Sequence, residues 1–153
     1  MFISTILVKF NIDIRKRLFK DILKNFGKNL NTIVVSGYPL NNKILRDFST
    51  LGLNVIPCYE ILEASSIVMI NNKKEFIKEN VMGCPLPGLK ASILNSNGKV
   101  PGEITLKGYF VMVGYYDDKK ATVKVLKDNI LHTGKIGYRD KNGCFYLSRS
   151  KSK

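Results

Sequence analysis

Apolar residues recur every three or four positions in two stretches of the first third of the chain, residues 14–26 and residues 40–51. This is the spacing of an amphipathic helix, and a glycine, which favours a helix end, directly follows each stretch. The β-branched run at residues 32–36 and the apolar run at residues 54–59 predict two buried strands. The order strand, helix, strand predicts parallel pairing through a right-handed crossover.

The pattern changes at about residue 83, where short strands separated by turn residues replace the helical spacing. Strands are predicted at residues 89–94, 102–107, 130–138 and 144–148. Asn-Gly pairs at residues 97–98 and 142–143 predict hairpin turns, and a short helix is predicted at residues 117–126. We therefore expect an α/β segment over residues 1–82. A mostly β segment, a small distorted antiparallel barrel, is expected over residues 83–153.

The composition is strongly basic, since lysine and arginine outnumber aspartate and glutamate by 25 to 12 and give a formal net charge of +13. A basic domain can bind nucleic acid or an anionic membrane. The lysines are spread along the chain, with no dense block and no arginine-rich stripe interleaved with aromatic residues. We interpret the charge as a solvated lysine-rich surface and do not predict nucleic-acid binding. Peripheral membrane contact stays open.

Three cysteines, Cys58, Cys84 and Cys144, are far apart in the sequence and form no Cys-x-x-Cys pair. This usage is typical of a reducing cytoplasm and argues against a zinc site and a disulfide framework. The apolar residues 1–8 are too few to span a bilayer and lack a basic start and a cleavage site. We expect a cytoplasmic location, with membrane association left open.

Four motifs occur in order along the chain. They are Tyr-Glu-Ile-Leu-Glu-Ala-Ser at residues 59–65, Val-Met-Gly-Cys-Pro-Leu-Pro-Gly at 81–88, Val-Met-Val-Gly-Tyr-Tyr at 111–116 and Leu-His-Thr-Gly-Lys-Ile-Gly-Tyr-Arg-Asp at 131–140. With Gly-Glu-Ile at residues 102–104, they resemble the late part of the large domain of AMP-forming acyl-CoA synthetases, the adenylate-forming ligases. The resemblance covers about residues 18–151 and is greatest to long-chain fatty-acid CoA ligases. It implies a fragment of that domain, a parallel α/β unit plus a small distorted antiparallel β-barrel.

The resemblance also implies a reaction and its participants. Ligases of this family use ATP and Mg²⁺ to convert a carboxylic acid, here a fatty acid or another acid, into an acyl-AMP. They then transfer the acyl group to CoA. The implied cofactors are therefore ATP or AMP, Mg²⁺ and CoA.

Residues 59–65 resemble the family's Tyr-Gly-x-Thr-Glu motif, in which the tyrosine packs on adenine, the threonine meets phosphate and the glutamate helps to hold Mg²⁺. A flat apolar face suits a base, and a carboxylate oxygen suits a hard cation. The resemblance assigns these roles to Tyr59 and Glu63. It places Leu62 at the threonine position and Glu60 at the glycine position. Leucine cannot donate a hydrogen bond to phosphate.

Three further positions match nucleotide contacts of the family. Gly37 lies in a turn similar to Ser-Gly-Gly-Ala-Pro-Leu, although a plain strand-to-helix turn explains it equally well. Lys135 stands where the family has an aspartate that accepts hydrogen bonds from the ribose, and lysine can only donate. Arg149 lies in residues 148–151, which resemble the hinge between the large and small domains. His132 is the only histidine and is interpreted as structural.

The sequence contains neither the Gly-rich phosphate loop nor the small domain that carries the activating lysine in the family. We therefore expect a truncated or degenerate piece of a ligase with little activity alone. One alternative is half of a split ligase, active when a partner chain supplies the missing segments. Another is a non-enzymatic basic module that binds RNA or anionic lipid.

Overall fold

A computed structural model describes residues 14–27, 29–37, 41–71, 80–94 and 100–148. The chain divides into two compact units, residues 1–56 and residues 57–153, and each is described by itself. The predicted hairpin turn at residues 97–98 lies outside the described residues.

The first unit is built from short helices and strands. Its elements are α1 (Arg15–Leu18), α2 (Lys20–Leu23), a 3-10 turn (Lys24–Phe26), β1 (Thr32–Val35), α3 (Asn42–Thr50) and the start of β2 (Asn54–Ile61). The helical spacing at residues 14–26 therefore forms three short pieces, because Phe19 between α1 and α2 leaves helical geometry. Gly27 follows the last piece with a φ of 98°, a conformation that glycine adopts without strain.

Helix α3 has a side-chain cap at its start and a glycine at its end. The side-chain oxygen of Asn41 accepts a hydrogen bond from the Lys43 amide at 2.8 Å, which satisfies one of the unpaired donors of the first turn. Gly52 follows with a φ of 86°. The Asn54 amide then donates to the Asn31 carbonyl at 2.9 Å and holds the start of β2 beside β1. The parallel direction of β1 and β2 stays a prediction.

The second unit is an antiparallel sheet with one short helix. Its elements after β2 are a 3-10 turn (Leu62–Ala64), β3 (Ser66–Ile70), β4 (Val81–Pro85), β5 (Leu89–Ile93), β6 (Gly102–Gly108), α4 (Lys119–Val125), β7 (Leu126–Lys127), β8 (Ile130–Arg139) and β9 (Phe145–Leu147). The strand order is β2-β3-β4-β9-β8-β6-β5, with β7 beside β8. The predicted fold class, α/β followed by mostly β, is confirmed. The predicted segment boundary between residues 82 and 83 stays a prediction.

The core of the second unit is formed by the apolar faces of its strands. In β5, Leu89, Ala91 and Ile93 are buried while Lys90 and Ser92 are exposed. This two-residue period is typical of a strand with one face exposed to solvent. The other buried members of this core are Ala64, Val68, Met69, Met82, Ile104, Leu106, Leu131 and Phe145.

A disulfide joins Cys84 to Cys144, so the expectation that the cysteines form no disulfide was wrong. The two residues are 60 positions apart, but β4 pairs with β9 in the register Gly83 to Phe145. This pairing places the neighbouring positions 84 and 144 side by side. The strand pairing is not visible in the cysteine spacing.

The turn between β8 and β9 is organised by Asp140. Its Oδ1 accepts hydrogen bonds from the amides of Asn142 at 2.9 Å and Cys144 at 3.0 Å, and its Oδ2 accepts one from the Tyr146 hydroxyl at 3.1 Å. Burial alone would raise the pKa of Asp140, but these hydrogen bonds stabilise the carboxylate and lower the pKa below 3.8.

Replacing Asp140 by asparagine is expected to lower the free energy of unfolding by about 1 kcal/mol at pH 7, because a neutral amide replaces the carboxylate that accepts the hydrogen bonds of the turn. A lowered folded-state pKa adds stability above the unfolded pKa of about 3.8, and this contribution disappears as the pH falls through the folded value. The difference between Asp140→Asn and the wild type should therefore shrink between pH 5 and pH 2. Urea unfolding at several pH values measures it. Asp128→Asn, in the exposed β7–β8 turn, is the control, and a constant difference for Asp140→Asn would contradict the prediction.

Candidate nucleotide site

Strand β2 continues through Ile61, two residues beyond the predicted strand end, so Tyr59 lies within the strand. The ring of Tyr59 is half-buried and packs against the core of the second unit. Burial and the negative charge of Glu63 both raise the pKa of Tyr59, so its hydroxyl stays protonated at neutral pH. The strand thus presents a neutral, firmly seated aromatic ring.

The turn after β2 is attached to the segment of residues 108–116 by three hydrogen bonds. The Tyr115 hydroxyl donates to Glu63 Oε1 at 2.6 Å, and the Met112 amide donates to the Glu63 carbonyl at 2.8 Å. The Ser65 hydroxyl donates to the Phe110 carbonyl at 2.9 Å. The hydrogen bond to Glu63 raises the pKa of Tyr115. The Glu63 side chain and main chain are therefore both held from one segment.

Leu62 and Glu60 flank this arrangement and face solvent. The Leu62 side chain is 89% exposed, although leucine is normally favoured in a core. The Glu60 carboxylate is exposed and lies 3.5 Å from the Ser66 hydroxyl.

Strand β8 carries a bulge at Thr133, Gly134 and Lys135. The register pairs Thr105 with His132 and Glu103 with Ile136, so three residues of β8 lie opposite one residue of β6. Gly134 has a φ of 68°, which the turn of the bulge requires. The bulge leaves the Lys135 side chain exposed at the surface of the sheet.

The bulge is held by hydrogen bonds to β6. Glu103 accepts two, from the Gly134 amide on Oε1 at 2.9 Å and from His132 Nδ1 on Oε2 at 3.0 Å. The Thr133 hydroxyl donates to the Ile104 carbonyl at 2.7 Å. Burial alone would raise the pKa of Glu103, but the hydrogen bonds from His132 and Gly134 lower it below its usual value. Glu103 is therefore a carboxylate at neutral pH.

A family profile described as "AMP-binding enzyme" matches residues 5–116. The chain belongs to this family. Over 106 residues it is 35% identical to the long-chain-fatty-acid–CoA ligase of Bacillus subtilis, an alignment that covers 65% of this chain and 19% of that ligase. Over 151 residues it is 30% identical to the 2-succinylbenzoate–CoA ligase of Listeria innocua, covering 98% of this chain and 31% of that one.

A solved structure shares the fold of this chain. O-succinylbenzoate coenzyme A synthetase of Bacillus subtilis, in complex with ATP and magnesium, matches it with a TM-score of 0.69 and 24% identity, over 86% of this chain and 30% of that chain. The resemblance to adenylate-forming CoA ligases that the motifs indicate is confirmed. The chain spans about a fifth to a third of the length of the relatives it matches.

The predicted nucleotide contacts of the chain lie in three places. Tyr59 and Leu62 are on β2 and the turn after it, close in sequence to Glu63, and Lys135 is on the bulge of β8. Gly37 belongs to the first unit, where it follows β1 with a φ of 88° and is exposed. Arg149 lies outside the described residues. The roles of all these residues stay predictions.

Glu63 fits the requirement for an Mg²⁺ ligand only as one oxygen donor among several. Among the described residues, no three His, Cys, Asp or Glu side chains come together as a metal-holding group. Mg²⁺ commonly takes one or two carboxylates and completes its shell with phosphate oxygens and water. A single carboxylate fixed by Tyr115 suits a cation that arrives with ATP.

Of the helices in the described part of the chain, none is long and apolar enough to cross a membrane.

Sequence reasoning missed the two residues that hold the candidate site together. Tyr115 lies 52 positions from Glu63, and Glu103 lies 29 positions from His132. Both lie in motifs that the sequence analysis interpreted as family landmarks. Only the tertiary contacts identify them, since the motif spacing gives no sign of either pairing.

Proposed function

We propose that this chain forms part of the adenylate site of an AMP-forming acid–CoA ligase. The observation that carries the proposal is the pairing, in a member of the AMP-binding enzyme family, of a half-buried Tyr59 with a Glu63 carboxylate that is fixed by the Tyr115 hydroxyl. The proposed reaction joins a carboxylate to ATP, giving an acyl-AMP and pyrophosphate. The thiol of CoA then displaces AMP and forms the thioester.

Each residue of the proposed site has a physical role. The ring of Tyr59 offers a flat apolar face to adenine, and Glu63 offers an anionic oxygen to Mg²⁺ bound to ATP. Mg²⁺, when bound, neutralises charge on the phosphates. The exposed Lys135 ammonium suits a phosphate oxygen. Leu62 donates no hydrogen bond, so this chain lacks one phosphate contact that the family motif supplies.

The proposed acid is a long-chain fatty acid, on the basis of the 35% identity to the Bacillus subtilis long-chain-fatty-acid–CoA ligase. The similarity to 2-succinylbenzoate–CoA ligase supports an aromatic dicarboxylic acid as the competing substrate. Tighter binding of a dodecanoyl-AMP analogue than of a succinylbenzoyl-AMP analogue would favour the fatty acid. Since the chain spans about a fifth to a third of these relatives, we propose that the complete reaction also needs segments that the match does not cover. A partner chain is one way to supply them.

Thermal unfolding of the chain against AMP, ATP with Mg²⁺ and a non-hydrolysable acyl-adenylate tests the site. A ligand at 100 times its dissociation constant adds about 2.7 kcal/mol to the free energy of unfolding. Tyr59→Ala is expected to abolish the shift, because it removes the face on which adenine packs. Each variant is compared with its own ligand-free melt, since Tyr59 also packs on the core. Tyr109→Ala, at a ring that is 99% exposed, is the control. A saturable shift that survives Tyr59→Ala would contradict the assignment.

Glu63→Gln is expected to weaken ATP binding roughly ten- to a hundredfold in the presence of Mg²⁺, the effect of losing one charge-assisted contact. With EDTA in place of Mg²⁺, the wild type and the variant should bind ATP equally. Isothermal titration with and without Mg²⁺ measures both affinities. Glu60→Gln is the matched control, because it removes the same charge three residues away on an exposed side chain. Equal losses in the two variants would mean that general surface charge, and not Glu63, accounts for the effect.

A further inference from the structure

We propose that Glu103 is a positioning residue that fixes the bulge of Thr133, Gly134 and Lys135 and so orients the Lys135 ammonium toward the phosphate of a bound nucleotide. This inference rests on the proposed function for its ligand. The bulge itself is a feature of the fold that can be tested without any ligand. Glu103 lies on β6 and Lys135 on β8, so one strand sets the geometry of a contact carried by its neighbour.

The hydrogen bonds of the bulge account for its shape. Three residues of β8 lie opposite Ile104 alone, so regular ladder bonds cannot serve all of them. The Ile104 carbonyl accepts from the Thr133 hydroxyl, and the Glu103 carboxylate accepts from the Gly134 amide. The Thr133 hydroxyl also accepts from the Lys135 amide at 3.2 Å. Each residue of the bulge thus makes one of these hydrogen bonds, to Ile104, Glu103 or Thr133.

Glu103 contacts both the middle of the bulge and the residue that precedes it. One carboxylate oxygen holds Gly134 in the middle of the bulge, and the other holds the ring of His132 just before it. Bulges commonly re-aim a side chain next to a functional site. Fixing the main chain at Lys135 limits the directions that its flexible side chain can take, which lowers the entropic cost of binding an anion.

Two substitutions of Glu103 separate positioning from simple packing. Glu103→Leu removes both acceptors. Glu103→Gln keeps an oxygen for the Gly134 amide, but its NH₂ group can face His132 Nδ1 only if the ring carries its proton on Nε2. The chain has a single histidine, so ring ¹⁵N spectra report this tautomer without ambiguity. Hydrogen exchange of the Gly134 amide reports the order of the bulge.

The functional readout is the affinity for AMP divided by the affinity for adenosine, because only AMP offers Lys135 a phosphate. Lys135→Ala as a single substitution should lower this ratio about tenfold. Glu103→Leu should also lower it, speed Gly134 exchange about tenfold and make Lys135→Ala nearly silent. Glu103→Gln should retain the ratio and the slow exchange while the ring proton moves to Nε2.

The proposal would be overturned if Glu103→Leu and Glu103→Gln gave the same AMP-to-adenosine affinity ratio and the same Gly134 exchange rate. It would also be overturned if Lys135→Ala lowered the affinity ratio as much in the Glu103→Leu background as in the wild type. Thr133→Val, which removes only the hydroxyl bonds of the bulge, should lower the same ratio, and it decides the question if Glu103→Leu does not fold. If the wild type binds neither AMP nor adenosine, the proposed function fails. Hydrogen exchange of the Gly134 amide then tests the role of Glu103 in the bulge without a ligand. An unchanged exchange rate in both Glu103→Leu and Thr133→Val would overturn that role.

Discussion

Replacing Cys144 by alanine is expected to lower the free energy of unfolding by about 4 kcal/mol in an oxidising buffer. The disulfide to Cys84 closes a loop of 60 residues, and a cross-link over that distance removes much of the conformational entropy of the unfolded chain. Alanine suits the position because Cys144 is buried and a serine hydroxyl would need a partner there. Urea unfolding monitored by circular dichroism measures the change.

The same experiment in a reducing buffer is the internal control. With dithiothreitol, the wild type should lose most of its advantage over Cys144→Ala, because both chains then lack the cross-link. Cys84→Ala should match Cys144→Ala in the oxidising buffer, while Cys58→Ala, outside the disulfide, should retain the response to reductant. A wild type that is indifferent to reductant would show that Cys84 and Cys144 are not bonded in solution.

The periodicity of apolar residues predicted the helices and strands that one buried face and nearby capping residues determine. The two-residue alternation of β5 and the helical spacing before Gly52 each reflect one buried face, and both elements appear close to their predicted bounds. The helix predicted at residues 117–126 is present as α4, and its N-cap residue Asp118 accepts a hydrogen bond from the Ala121 amide at 2.8 Å. Such signals depend on neighbours within a few residues, so the sequence contains them directly.

Strand β3 and the disulfide were not predicted because their cause is tertiary. Ser66–Ile70 is a short apolar run directly after the motif of residues 59–65, and only its pairing with β2 and β4 makes it a strand. Likewise, the spacing of Cys84 and Cys144 is uninformative until β4 lies beside β9.

The motif residues of the candidate site are predictions from the sequence, while their supports come from the structure. The resemblance assigns roles to Tyr59, Glu63 and Lys135 because each occupies a position within a contiguous motif. The hydrogen bonds from Tyr115 to Glu63 and from His132 to Glu103 join separate motifs, and no local pattern encodes a contact across such a distance. The sequence therefore predicts which groups meet a ligand, while the structure shows what holds them.

Gly83→Ala is expected to lower the free energy of unfolding by more than about 3 kcal/mol and to abolish cooperative folding. This effect should be larger than that of Gly143→Ala, which serves as the control. Gly83 has a φ of 111°, where a side chain is strained. A Cβ there would lie 2.6 Å from the Ile70 carbonyl oxygen and 2.8 Å from the Asn71 amide nitrogen. Both are main-chain atoms of the adjoining segment, so relief requires the strands to move apart.

Gly143→Ala is the matched control. Gly143 also has a positive φ, 83°, but an added Cβ meets nothing within 4 Å, so alanine there adds backbone strain of about 1–2 kcal/mol and no clash. Thermal unfolding should therefore separate the two variants widely, and similar melts would show that β3 and β4 do not approach as closely as Gly83 indicates. Because β3 pairs with both β2 and β4, moving it should also disturb the turn that carries Glu63. Any folded fraction of Gly83→Ala is thus expected to lose the acyl-adenylate shift, while Gly143→Ala retains it.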